Sequence, residues 1–162
     1  MSTHRRDLLS WALVTFTVLL VAAAAFYVIW PYVQPHVTVR IGDGVYKARV
    51  ANTDTSRTAG LSDTPSLRQD EALLMVYPND DKHPIWMKEM NYPLDIVWLN
   101  KDKKVVYIVK NAPPDSYPEK FEPKEPARYV LELPAGAVSE KTISIGISAA
   151  FDENHIEGWG TN

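Results

Sequence analysis

Two short apolar runs joined by a proline-bounded turn constrain this chain most. Ile85-Trp86-Met87-Lys88-Glu89-Met90 and Leu94-Asp95-Ile96-Val97-Trp98-Leu99 read as neighbouring strands, with Asn91-Tyr92-Pro93 between them. The same grammar continues on both sides. Val37-Thr38-Val39-Arg40-Ile41 alternates apolar and polar residues, the period of a half-buried strand. Gly42-Asp43-Gly44 then predicts a hairpin turn, and Val45 to Val50 the return strand. Thr53 or Asp54 suits the cap of a short helix that Gly60 ends in a left-handed conformation. Ala72 to Tyr77 is a continuous apolar run closed by Pro78, which predicts a strand buried on both faces.

Asn79 to Lys82 reads as a polar loop, and Asn100 to Lys104 as a solvated turn before the strand Val105 to Val109. Leu94 to Val109 is therefore one hairpin. Asn111 to Pro126 holds five prolines and reads as a long loop, with Tyr117 and Phe121 available to pack on the body. Tyr129 to Leu133 is a further strand, Pro134 to Val138 opens a short helix, and Ile143 to Ile147 alternates again. Many short strands with one or two short helices predict a mainly β domain, α+β at the margin, arranged as a compact barrel or sandwich.

The segment Leu8 to Trp30 carries no charge over 23 residues, where a spanning helix needs roughly 20 apolar ones. His4, Arg5 and Arg6 precede it, which favours a cytoplasmic N-terminus. Pro31 ends the run. A cleaved signal peptide is the competing reading, since Ala22 to Ala25 offers small-residue cleavage sites, but Phe26 to Trp30 prolongs the apolar run past them. The resulting division is 1–7 cytoplasmic, 8–30 a transmembrane signal anchor in the lipid bilayer, 31–36 a linker, 37–151 an extracytoplasmic β-rich domain, and 152–162 a loose tail.

Composition closes several doors. The net charge is −3 and the basic residues are scattered, so nothing resembles a nucleic-acid footprint. With no cysteine there is no thiol catalyst, disulfide or Cys-rich zinc site. His4, His36, His83 and His155 show no ligand spacing, so neither a metal nor another cofactor is expected.

The order of five segments adds a resemblance. Arg57-Thr58-Ala59-Gly60-Leu61, Ala72 to Tyr77, Ile85 to Met90, Pro93 to Trp98 and Tyr129 to Gly136 resemble, in turn, the R-x-x-G-L, G-M-L-F-V-F, F-W-M-K-N/D-M, P-L/I-D-I-I-F/W and Y-V-L-E-L/N-A-G elements of the domain of unknown function 192 family (DUF192). Ala72 and Ile85 depart from the family's Gly and Phe but keep the strands apolar. Ile145-Gly146-Ile147-Ser148 matches the family's I-x-V-G-D close only loosely. The resemblance implies a compact, β-rich, usually exported domain and supplies no reaction.

Five residues stand out as a candidate pocket: Trp86, Lys88, Met90, Asp95 and Glu132. Asp95 lies in an otherwise apolar run, where a carboxylate is costly unless paired or hydrogen-bonded. It reads either as a ligand-binding or acid/base group or as a structural cap on backbone N–H groups after the Pro93 turn. Period-2 alternation puts Trp86 and Lys88 on one face and Met87 on the other. Lys88 would pair with Asp95 or Glu132, meet an anionic ligand, or lie along Trp86. Glu132 shares a face with Val130 and is solvent-facing or lines a site. The aromatic and thioether side chains suit a flat ligand or sugar ring, or simply the core.

The leading expectation is a membrane-anchored binding or accessory module for a small ligand or envelope component, with the Pro113 to Pro126 loop as rim. One alternative is a cell-envelope hydrolase using Asp95 and Glu132 as an acid/base pair. The other is a structural or interaction protein.

Overall fold

The computed structural model of the chain describes residues 11–25, 36–153 and 156. It divides into two units, Met1–Gln34 and Pro35–Asn162. In the first, residues 11–25 form helix α1, whose described side chains are all exposed. Thr15 and Thr17 return their hydroxyl protons to the Trp11 and Leu13 carbonyls at 2.9 and 2.8 Å, which satisfies both groups within the helix. The expected spanning helix over 8–30 is not seen as such. No helix among the described residues is long and apolar enough to cross a membrane, and the rest of 8–30 and most of the 31–36 linker lie outside them.

The second unit is built on a six-stranded mixed sheet in the order β1-β2-β3-β8-β5-β6. Its strands are β1 (His36–Ile41), β2 (Gly44–Ala51), β3 (Glu71–Asp81), β5 (Leu94–Leu99), β6 (Val105–Ala112) and β8 (Ala127–Pro134). Two short strands, β4 (Ile85–Trp86) and β7 (Lys120–Phe121), pair separately. All neighbours run antiparallel except β2 and β3. The parallel step needs a crossover, and it contains α2 (Asp54–Ala59).

The central strands explain the continuous apolar runs. A strand covered on both faces has no solvent side to reserve for polar residues. In β5 all six residues are buried. Leu74, Val97, Leu99, Leu131 and Leu133 face one apolar cluster, while Leu73, Met75, Ile96, Trp98 and Val130 face another. This single sheet with a core on each side replaces the expected barrel or sandwich. Its edges are not left bare. Arg40 in β1 exchanges backbone hydrogen bonds with Ala150, and Val105 in β6 does so with Gly146 and Ile147.

Four local expectations change. Asn79 to Asp81 continues β3 rather than looping, because the ladder to β8 resumes at Asp81 and Ala127 after a register shift. Arg128 also reaches Asp80 at 2.6 Å. Only Ile85 and Trp86 of the first apolar run are strand, because Glu89 takes a φ of 56° and turns the chain. Ile143 to Ile147 is not a strand; Thr142 and Gly146 have φ of 55° and 93°, and Ile145 is exposed. The tail is docked where it is described. Ile156 is buried, its carbonyl accepts from Asn52 at 3.2 Å, and Lys103 reaches Glu153 at 2.9 Å.

Helix α2 is the small element that shapes the site. Thr53 caps it by accepting from the Ser56 N–H at 3.1 Å, and Ser56 answers by accepting from the Thr53 N–H at 3.0 Å. This reciprocal cap satisfies two groups that the helix start leaves free. Gly60 ends the helix with a φ of 52°, a conformation that costs glycine little. Replacing Thr53 with alanine is expected to lower stability by about 1 kcal/mol, measured by thermal melting. An unchanged melt would mean that α2 is held by Arg57 and not by its cap.

Candidate functional site

The loop after α2 arches over one face of the sheet and is fastened at its far side. Ser62 Oγ donates to the Lys88 carbonyl at 2.9 Å, the Asp63 N–H donates to the Glu89 carbonyl at 2.9 Å, and Asn91 donates to the Thr64 carbonyl at 3.1 Å. Those bonds occupy the backbone groups that a longer β4 would have used. Asp63 and Glu89 both have φ of 56°. Paired left-handed turns at non-glycine residues occur where the surrounding bonds over-determine the backbone.

A cleft of about 270 Å³ lies beneath this arch. Arg57, Gly60 and Ser62 form one wall, Met75 and Tyr77 of β3 another, and Trp86, Lys88 and Met90 a third, with Glu132 of β8 also lining it. A second hollow shares Gly60, Trp86 and Lys88 with it and adds Arg49, Asp63 and Glu89. Strand register puts Arg49 opposite Leu73, Leu73 opposite Glu132, and Glu132 opposite Ile96. Arg49 and Glu132 therefore project from the same face on either side of Leu73.

Glu132 is the electrostatic centre. It is only 4% exposed, and its Oε2 has no hydrogen-bond partner among the described residues. Burial pushes its carboxyl up to about 7, while the Arg49 guanidinium pulls the other way. Arg49 itself donates to the Gly60 carbonyl, which ties the sheet to the arch. Tyr77 is pushed up to about 12 by burial, opposed by Arg57, whose guanidinium lies 5.0 Å from the ring centre. His83 stacks on Tyr77 at 3.5 Å, and its carbonyl accepts from Trp98 Nε1 at 2.9 Å.

The mouth is aromatic. Trp86 is 39% exposed, Tyr117 meets it edge-on at 6.2 Å, and Lys120 Nζ lies 5.7 Å from its ring centre. The proline-rich segment thus reaches the cleft through Tyr117 and Lys120. Met87, between Trp86 and Lys88, is buried in the core.

Four of the five candidate residues, Trp86, Lys88, Met90 and Glu132, line one cleft. Asp95 does not join them. Along β5, Leu94, Ile96 and Trp98 face the cleft side, while Asp95 points to the opposite core beside Val97 and Leu99. Its two oxygens accept from the Asn111 and Val138 N–H groups, each at 2.8 Å. The expected acid/base pairing of Asp95 with Glu132 is therefore ruled out by alternation, since Glu132 opposes Ile96 whereas Asp95 opposes Leu133. Lys88 pairs with neither; its Nζ lies 3.5 Å from Glu89. Among the described residues no group of three or more His, Cys, Asp or Glu is placed to hold a metal.

Arg49, Arg57, Gly60 and Tyr77 were not expected as site residues. Arg57 and Gly60 belong to the R-x-x-G-L-like segment and Tyr77 to the apolar run, so four of the five resembling segments supply lining residues. Nothing local in the sequence marks Arg49.

A mixed sheet with a core on each face, few short helices and a cleft over a buried carboxylate defines a compact β-rich domain. The chain belongs to the DUF192 family, described as "Uncharacterized ACR", whose match covers residues 37–151. It is similar to the crystal structure of a protein of unknown function from Novosphingobium aromaticivorans DSM 12444, at 26% identity and a TM-score of 0.66 over 71% of this chain and 83% of that one. It is equally similar to a Sinorhizobium meliloti 1021 protein described as a candidate transcription regulator, at 27% identity and a TM-score of 0.66 over 72% of this chain and 92% of that one. No curated protein matches the chain significantly.

Proposed function

We propose that this protein is a small-ligand-binding module presented on the extracytoplasmic side of a membrane. The Glu132 carboxylate carries the binding half of this reading. A buried ionisable group with an unmet acceptor oxygen costs free energy unless something supplies a donor. Glu132 lines a concave site with aromatic and polar walls, the usual anatomy of a ligand pocket. Its burial at the cleft also matches the rule that perturbed carboxyls gather at functional sites.

The membrane half rests on the uncharged 8–30 run behind Arg5 and Arg6. Exposed apolar side chains along α1, with threonine hydroxyls satisfied inside the helix, suit lipid surroundings.

Thermal shift on the full-length protein tests the binding reading, with divalent metals, neutral sugars, amines and amphiphiles screened beside the Glu132→Gln variant. A ligand at 100-fold its dissociation constant should add about 2.7 kcal/mol, and the gain should shrink in the variant. No response to any class would sink the reading. Topology is checked separately with alkaline phosphatase fused after Asn162, a reporter active only outside the cytoplasm. An inactive but intact fusion would remove the extracytoplasmic assignment and leave the binding reading standing.

A further inference from the structure

We infer that the ligand of this cleft is a neutral, hydroxyl-rich ring, a saccharide unit, with a hydroxyl donated to Glu132 and its C–H face laid on Trp86. The inference rests on the binding reading above and narrows it to one chemical class.

Charge bookkeeping around the cleft removes the other classes. Arg57 is paired with Asp54, Lys88 lies beside Glu89, and Arg49 faces Glu132 across Leu73. The walls therefore offer no unbalanced field to steer an ion. An anionic ligand would bring its charge against Glu132, whose Oε2 has no donor among the described residues. A cationic ligand would suit Glu132 but not the mouth. A cation attracted to the indole of Trp86 would meet the repulsion of the Lys120 ammonium, which lies 5.7 Å from the ring centre, whereas a neutral ring on the opposite face carries no charge for it to oppose.

A neutral polyol meets none of these objections. Each hydroxyl is a donor and an acceptor. One can donate to the Glu132 carboxyl where that side chain lines the cleft, while others meet the Arg and Ser groups of the walls. The C–H groups on one side of a sugar ring form an apolar face, which a partly exposed tryptophan covers. Trp86 is 39% exposed and braced by Tyr117 at 6.2 Å, so its orientation is set before binding. The cleft's 270 Å³ falls just below the ~300–1,000 Å³ typical of ligand pockets, and the hollow that shares Gly60, Trp86 and Lys88 opens beyond it. That suits one ring inside and the remainder of any chain outside.

The test uses the full-length protein in lipid nanodiscs, which adds no sugar-headed detergent. Methyl β-glucoside, N-acetylglucosamine and chitobiose are titrated by calorimetry, beside n-butylamine, choline and glutarate. At least one saccharide is expected to bind. Its affinity should fall at least tenfold in Glu132→Gln and in Trp86→Ala, the latter at a partly exposed position. Circular dichroism melts check that both variants remain folded.

Saccharide binding untouched by either variant would overturn the inference, because the sugar would then sit elsewhere. Glu132-dependent binding of the amines or of glutarate, with no saccharide bound, would overturn it and leave the cleft a ligand site. Silence from all six probes here and from every class in the thermal-shift screen would remove both readings.

Discussion

Replacing Asp95 with alanine is expected to destabilise the domain by about 3–6 kcal/mol, at ~1.5–3 kcal/mol for each hydrogen bond to its charged carboxylate. The side chain is fully buried, and each oxygen holds one backbone N–H. The need for it begins in the ladder. Between Leu94↔Ala112 and Ile96↔Val109, β6 spends one more residue than β5. Such a bulge leaves a backbone group unpaired. Asn111, with a φ of 51°, turns its N–H toward Asp95 instead of a strand carbonyl. The other oxygen takes the Val138 N–H at the start of α3 (Ala137–Glu140). Asp95→Asn keeps one acceptor oxygen but sets an amide N–H against the other backbone N–H, so it should cost at least half as much. Urea unfolding with an unchanged m-value reads the loss directly. A cost below ~1 kcal/mol for Asp95→Ala would show that the two N–H groups find other partners.

Glu132 should behave in the opposite way. Its carboxyl lies near 7 in the folded protein, against 4.5 for the ordinary group. Between those values the folded state binds more protons than the unfolded state, so stability falls as pH rises from about 4.5 to 7. The penalty is fully present above 7 and relieved below 4.5. Its full size is roughly 3 kcal/mol. Glu132→Gln removes the titration. At pH 8 the variant should therefore be more stable than the parent by up to that amount, and near pH 4 the two should converge. Denaturation midpoints across pH 4–8 check the trend. A parent curve that keeps rising through pH 7, with Glu132→Gln less stable at pH 8, would mean that the carboxylate is paired in the folded protein. The two acidic residues are thus expected to separate: Asp95 as a strut whose loss costs stability, Glu132 as a cleft-lining carboxyl whose loss restores it.

Much of the fold was legible along the chain. Alternation in Val37 to Ile41 and the continuous runs Ala72 to Tyr77 and Leu94 to Leu99 reflect burial, which acts residue by residue on a strand of period two. The Thr53 and Gly60 boundaries of α2 were equally readable, because capping depends on neighbours in sequence. Where backbone groups found partners far along the chain, local pattern misled. Lys88 and Glu89 bond to the loop after α2 instead of extending β4. Ile143 to Ile147 alternates but meets the sheet through the bonds of Gly146 and Ile147 to Val105 and forms no strand.

The site divides along the same line. Trp86, Lys88, Met90 and Glu132 could be singled out from residue type and strand setting, and so could Asp95. Whether they meet could not. That depended on strand order and register, since β8 lies between β3 and β5 with Glu132 opposite Ile96. A shift of one residue would have exchanged the faces of Glu132 and its neighbours. The sequence by itself determined most strands of the main sheet, the α2 boundaries, the family and the candidate list, because each is written in short-range pattern. Only the tertiary structure decided that Asp95 braces a bulge while Glu132 lines a cleft with Arg49 on its far side. Those assignments are set by pairings between distant segments, whose energies no local window contains.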